Sequence, residues 1–89
     1  MKTVKLIING KVKGVSFRRF ARIEASNFKL NGYARNLENE SLEIVLQGES
    51  ENIDKFKGRA NIGPPLSNIT SIQEEILDNS VTFTEFNIL

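Results

Sequence analysis

The apolar residues of this 89-residue chain change their spacing, from every second position to every third or fourth and back, twice over. A strand sends alternate side chains to one face, and a helix lines up residues three and four apart, so the switch in period sets an order of elements. Val4, Leu6 and Ile8 alternate in the first segment. Phe17, Phe20, Ala21, Ala25 and Phe28 follow helical spacing between Ser16 and Leu30. Asn31-Gly32 is the expected stop of that helix, because both residues accept a left-handed backbone. Tyr33 to Leu37 and Leu42 to Leu46 read as short strands, joined by Glu38-Asn39-Glu40-Ser41, which is hairpin length. Ser50 stands where a helix cap is expected, ahead of Ile53, Phe56 and Ala60. Gly63-Pro64-Pro65 forces an extended connection. Ile69 to Ile76 reads as a long strand, Asp78-Asn79-Ser80 as a turn, and Val81 to Ile88 as the last strand.

The order is β-α-β-β-α-β, with a short final strand or extension. Two strand-helix-strand units joined in this way predict an α+β, ferredoxin-like sandwich: an antiparallel sheet with two helices on one face. The length predicts a single domain over residues 1–89. Many functions use this fold, so the site must decide among them.

The chain has no cysteine and no histidine. Disulfides, thiolate metal sites and Ser-His or Cys-His nucleophile pairs are therefore excluded, and the usual neutral-pH base is missing. The net charge of +1 hides an asymmetry. Residues 1–37 carry nine Lys/Arg against one Asp/Glu, and residues 38–89 carry three against ten. A basic first half suits an anionic ligand such as phosphate, unless the two halves interleave and neutralise each other.

Gly10-Lys11-Val12-Lys13-Gly14-Val15-Ser16-Phe17-Arg18 lies between the first strand and the first helix. Its glycines allow a tight turn whose N–H groups point inward as an anion nest. The helix start adds unpaired N–H groups and a partial positive charge. Arg18 falls in the first helical turn, where its guanidinium reaches the same cavity and matches phosphate oxygens in pairs. The glycine spacing is not that of a Walker A loop, and no acidic residue precedes Glu24 to hold Mg²⁺. Ser16 has no base near it in sequence and reads as a capping or loop residue rather than a nucleophile. Arg19, Arg22 and Arg35 read as solvated, and Phe17, Phe20 and Phe28 as core. In Gly32-Tyr33-Ala34-Arg35-Asn36-Leu37, alternation places Tyr33, Arg35 and Leu37 on one face and Asn36 with Ala34 on the other. A carboxamide there is able to hydrogen-bond a water.

Together these two segments resemble the signatures of the acylphosphatase family, Gly-x-Val-Gln-Gly-Val-x-Phe-Arg followed by Gly-x-Val-x-Asn. The similarity continues through Leu42-Glu43-Ile44-Val45-Leu46-Gln47-Gly48, Gly63-Pro64-Pro65 and Phe86-Asn87-Ile88. The resemblance implies hydrolysis of a carboxylic-phosphoric anhydride. It implies that Arg18 and the main-chain N–H groups of Lys13, Gly14, Val15, Ser16 and Phe17 bind phosphate, and that Asn36 orients the attacking water. Lys13 replaces the family's usual glutamine, and either adds charge beside the phosphate or extends into solvent. Ala34 replaces valine. Asn39-Glu40 replaces a frequent Asp-Gly turn, so Asn39 is the expected left-handed residue.

An acyl phosphate suits a chain without His or Cys. Its carboxylate leaving group, with a pKa of about 4, departs unprotonated. Its loose transition state is served by positioning and electrostatics. No metal or cofactor is expected, since no ligand cluster is visible in the sequence. The expected partner is a small-molecule acyl phosphate, with no nucleic acid and no membrane, and the expected state is a monomer. Residues 42–48 lack the aromatics of an RNA-binding sheet, and a Cys-x-x-Cys for copper is absent. No apolar run approaches a membrane span, and the N-terminal stretch lacks signal-peptide features, so a cytoplasmic location is expected. The competing reading is a catalytically silent relative that binds an anion or small molecule.

Overall fold

Alternating Val4, Leu6 and Ile8 produce β1, Lys2–Lys11, in a computed structural model that describes residues 1–89. There follow α1 (Phe17–Asn27), β2 (Asn31–Asn36), β3 (Leu42–Gly48), α2 (Ser50–Ile62), β4 (Asn68–Leu77) and β5 (Phe86–Ile88). The five strands form one sheet in the order β4-β1-β3-β2-β5. β1 pairs antiparallel with β3 and β4, and β2 antiparallel with β3.

One face of the sheet carries the core. Val4, Leu6 and Ile8 of β1, Ala34 of β2 and Leu42, Ile44 and Leu46 of β3 are buried there. Against them pack Phe17, Ala21 and Ala25 of α1 and Ile53, Phe56 and Ala60 of α2. Both helices therefore lie on one face, and the periodicities predicted from sequence are the ones that bury. Burying each large apolar side chain contributes about 1.5–3 kcal/mol, which makes this layer the main source of stability. The fold is ferredoxin-like α+β, as expected. No helix is long and apolar enough to cross a membrane.

The opposite face is polar and partly covered. Gln47 of β3 donates from Nε2 to Thr3 Oγ1 and to the Val81 carbonyl at 2.9 and 2.7 Å. Its Oε1 accepts from the Phe83 N–H at 2.8 Å. Phe83 also packs on Tyr33, with ring centroids 6.1 Å apart. Residues 78–85 therefore run across this face on their way from β4 to the far edge of the sheet.

That crossing corrects two expectations. Val81 to Glu85 is not strand, because Gln47 satisfies its main chain where a ladder neighbour would; only Phe86–Ile88 pairs. The sheet is also mixed rather than antiparallel throughout. β5 runs parallel to β2, because the chain reverses direction after β4 before it reaches that edge. Helix α1 ends earlier than expected. Lys29 takes the left-handed conformation (φ 55°) and Leu30 N–H closes on the Ala25 carbonyl at 2.8 Å, so Asn31 and Gly32 open β2 instead of stopping the helix. At α2 the cap position is Glu49, and Ser50 is already helical.

Candidate active site

Residues 12–16 connect β1 to α1. Shortly before this loop, within β1, the β1–β4 register shifts between Asn9 and Gly10. Buried Val12 and Phe17 anchor its two ends in the core. Phe17 meets Phe20 edge-on at 5.4 Å, which fixes the first turn of the helix beneath the loop. Gly14 (φ 70°) and Ser16 (φ 62°) are both left-handed. Glycine adopts this backbone freely, whereas serine does so at a cost of about 1–2 kcal/mol.

The alternation of backbone conformations turns successive N–H groups away from the protein's own acceptors. From Lys13 to Arg19, no main-chain N–H donates to a protein acceptor; the first helical bond is Phe20 N–H to the Ser16 carbonyl, at 3.0 Å. Part of that run is the ordinary unpaired first turn of a helix. The rest belongs to the loop. Ser16 occupies the cap position without a side-chain capping bond, so its expected capping role is not realised by its hydroxyl.

Beside these groups lies a cleft of about 400 Å³. Val12, Gly14, Ser16 and Phe17 form its loop wall, with Arg18 and Arg19 at the helix end. Asn36, the last residue of β2, and Ile88 of β5 form the strand wall. Asn36 is exposed and its side chain has no protein partner. Arg18 is partly exposed and donates from Nη1 to the Leu89 main-chain oxygen at 2.9 Å. It pairs with no Asp or Glu side chain. One anchored nitrogen holds the guanidinium in place while its other donors remain available.

The structure thus brings Gly14, Ser16, Phe17, Arg18 and Asn36 together around one cleft. Val15 instead packs against the core, and only its main chain belongs to the loop. Lys13 does not simply extend into solvent. Its ammonium donates to the Leu37 carbonyl, linking the loop to the end of β2. Sequence reasoning missed Leu89 and Ile88, which arrive from the far terminus, and treated Arg19 only as a solvated residue. Arg19 is exposed, and it also lines the cleft.

The charge asymmetry survives folding around the loop. Among the first-half cations, only Lys5 and Arg35 meet Asp or Glu side chains, Glu75 and Glu43. Arg35 is exposed, as expected, and its Nε also donates to Glu43 Oε2 at 2.6 Å on the sheet face away from the helices, where Tyr33 Oη donates to the same oxygen. Burial pushes the Glu43 carboxyl up, and the bonds from Arg35 and Tyr33 outweigh it, with the charges of Arg35 and Lys5, so its pKa is lowered. At the hairpin, Glu40 (φ 71°) rather than Asn39 is left-handed. The Asn39 side chain instead accepts the Ser41 N–H at 3.3 Å, which carries the turn one residue further.

The acylphosphatase family model matches residues 4–88. The chain belongs to the acylphosphatase family. It is 39% identical over 88 residues to an acylphosphatase of Chlorobaculum tepidum, covering 99% of this chain and 96% of the relative. An acylphosphatase of Methylococcus capsulatus is 35% identical over 89 residues, covering 100% of this chain and 97% of the relative. Among solved structures, acylphosphatase from Bacillus subtilis superposes with a TM-score of 0.97 at 29% identity, covering 100% of this chain and 99% of that one. The acylphosphatase family is one of enzymes, and the two segments that resemble its signatures are the loop before α1 and strand β2.

Proposed function

We propose that this acylphosphatase-family chain hydrolyses acyl phosphates to a carboxylate and inorganic phosphate. The observation that carries the reading is the run of main-chain N–H groups from Lys13 to Arg19 without protein acceptors, beside a guanidinium with no Asp or Glu partner. An anion with three equatorial oxygens suits such a set of donors. The N–H groups of Lys13 to Phe17 and the free donors of Arg18 hold the phosphoryl oxygens. Asn36, across the cleft, orients the water.

The water oxygen forms a bond to phosphorus as the bond from phosphorus to the acyl oxygen breaks. The electron pair of that bond leaves with the carboxylate. Asn36 has no basic group to take the water's proton at ordinary pH, so the proton passes to a phosphoryl oxygen or to bulk water. The carboxylate needs no acid to leave, and the cleft offers none: no Asp, Glu, Lys or Tyr lines it. Alkyl phosphomonoesters, whose alkoxide must be protonated, are therefore poor substrates. No carboxylate lines the cleft to hold a divalent ion either, so turnover is metal-independent.

The test is hydrolysis of benzoyl phosphate by the wild type beside Arg18→Gln and Asn36→Ala, each checked for folding by circular dichroism. The reading expects turnover in the wild type, unaffected by chelator, with near silence on glycerol phosphate. A folded wild type that binds phosphate without hydrolysing benzoyl phosphate would be a silent binding module. Full activity in both folded variants would reject the residue assignments.

A further inference from the structure

The cations near the cleft differ in what already occupies them. The Lys13 ammonium is held by the Leu37 carbonyl, and Arg18 is tied by one nitrogen to the Leu89 oxygen. Arg19 lines the same cleft with neither a hydrogen-bond nor an ion-pair partner, and no Asp or Glu lines the cleft to neutralise it. Successive residues of a helix leave its axis about 100° apart, so the Arg19 guanidinium is offset from that of Arg18. With the loop and Arg18 assigned to the phosphoryl group, Arg19 is left for the remainder of the substrate.

We infer that Arg19 selects acyl phosphates whose acyl part carries its own carboxylate. The inference rests on the hydrolase reading above. A guanidinium matches a carboxylate with two parallel N–H donors, and Ile88 on the strand wall offers an apolar surface for the carbon skeleton between the two anionic ends. Arg19 here determines specificity and takes no part in bond breaking. A guanidinium that only strengthened the general field would favour the 3- and 4-carboxylates alike, whereas a direct pair favours the one isomer whose carboxylate reaches it.

The experiment compares 3- and 4-carboxybenzoyl phosphate with their methyl esters, which have the same skeleton without the charge. An exposed ion pair supports a preference of about threefold to fivefold in kcat/KM for the free carboxylate of one isomer at low ionic strength. Added salt should shrink that preference. Arg19→Gln should bring the ratio of acid to ester near one. Arg22→Gln makes the same charge change at an exposed residue outside the cleft and should preserve the ratio. Turnover of acids and esters at equal kcat/KM by the wild type, or a ratio that Arg19→Gln leaves unchanged, overturns the assignment and leaves the hydrolase reading standing. Turnover of none of the four compounds, nor of benzoyl phosphate, overturns both.

Discussion

The ammonium of Lys13 donates a hydrogen bond to the main-chain carbonyl of Leu37, the residue that follows Asn36. The bond joins the loop before α1 to the strand end that carries the carboxamide. It spans the two halves of the proposed site without entering the cleft.

Cutting that link should therefore disturb catalysis more than stability. Lys13→Met keeps the stem and removes the donor. We expect kcat/KM for benzoyl phosphate to fall about tenfold, because small misplacements of reacting groups are costly. Lys13→Gln, which retains a donor, should recover part of the loss. Equal activity in wild type and Lys13→Met would mean that the loop keeps its place unaided.

Asn36 is exposed and its side chain bonds to no protein group. Asn36→Ala should leave the unfolding midpoint within about 0.5 kcal/mol of wild type, as surface substitutions usually do. Turnover should fall about 10²–10³-fold, the usual loss for a group acting in the transition state. Steady-state kinetics beside urea unfolding measures both, and a variant that lost stability but kept its kcat would reverse the assignment.

Glu40 takes a left-handed backbone at an exposed hairpin tip. Glycine adopts that conformation without the clash of a Cβ, so Glu40→Gly should stabilise the protein by about 0.5–1 kcal/mol, after the glycine's larger entropy loss on folding. Urea unfolding reads the sign directly. A lower midpoint would show that the turn does not strain Glu40.

The Glu43 pKa is lowered in the fold, so the unfolded chain takes up this proton first as pH falls. Its contribution is present above the ordinary glutamate pKa of about 4.3 and is lost as pH drops through the lower folded value. Glu43→Gln should therefore be less stable than wild type at pH 7, with the gap narrowing toward pH 2. Urea midpoints across that range test this; a gap constant with pH would remove charge from the explanation.

Much of the fold could be read from spacing, because Val4, Leu6 and Ile8, or Phe17, Ala21 and Ala25, bury the very stripes that their periods define. The loop could be read too, since glycine at position 14 and arginine in the first helical turn are local features. What could not be read depends on distant partners. Val81 and Phe83 have strand-like side chains, yet their main chains bond to Gln47 on β3, more than thirty positions away. The Leu89 oxygen meets Arg18 across 71 positions. Lys13 has a long flexible stem, and only the folded hairpin reveals that the Leu37 carbonyl is within its reach.

The central claim is that the main-chain amides from Lys13 to Phe17, with Arg18, receive the phosphoryl group. Titrating isotopically labelled protein with inorganic phosphate and following each amide by NMR tests it most directly. The account predicts saturable shifts that are largest at Gly14 to Phe17 and at the Arg18 side chain, and that disappear in Arg18→Gln. Shifts centred on another basic surface, such as Arg22 and Lys29, with the loop amides unmoved, would contradict it.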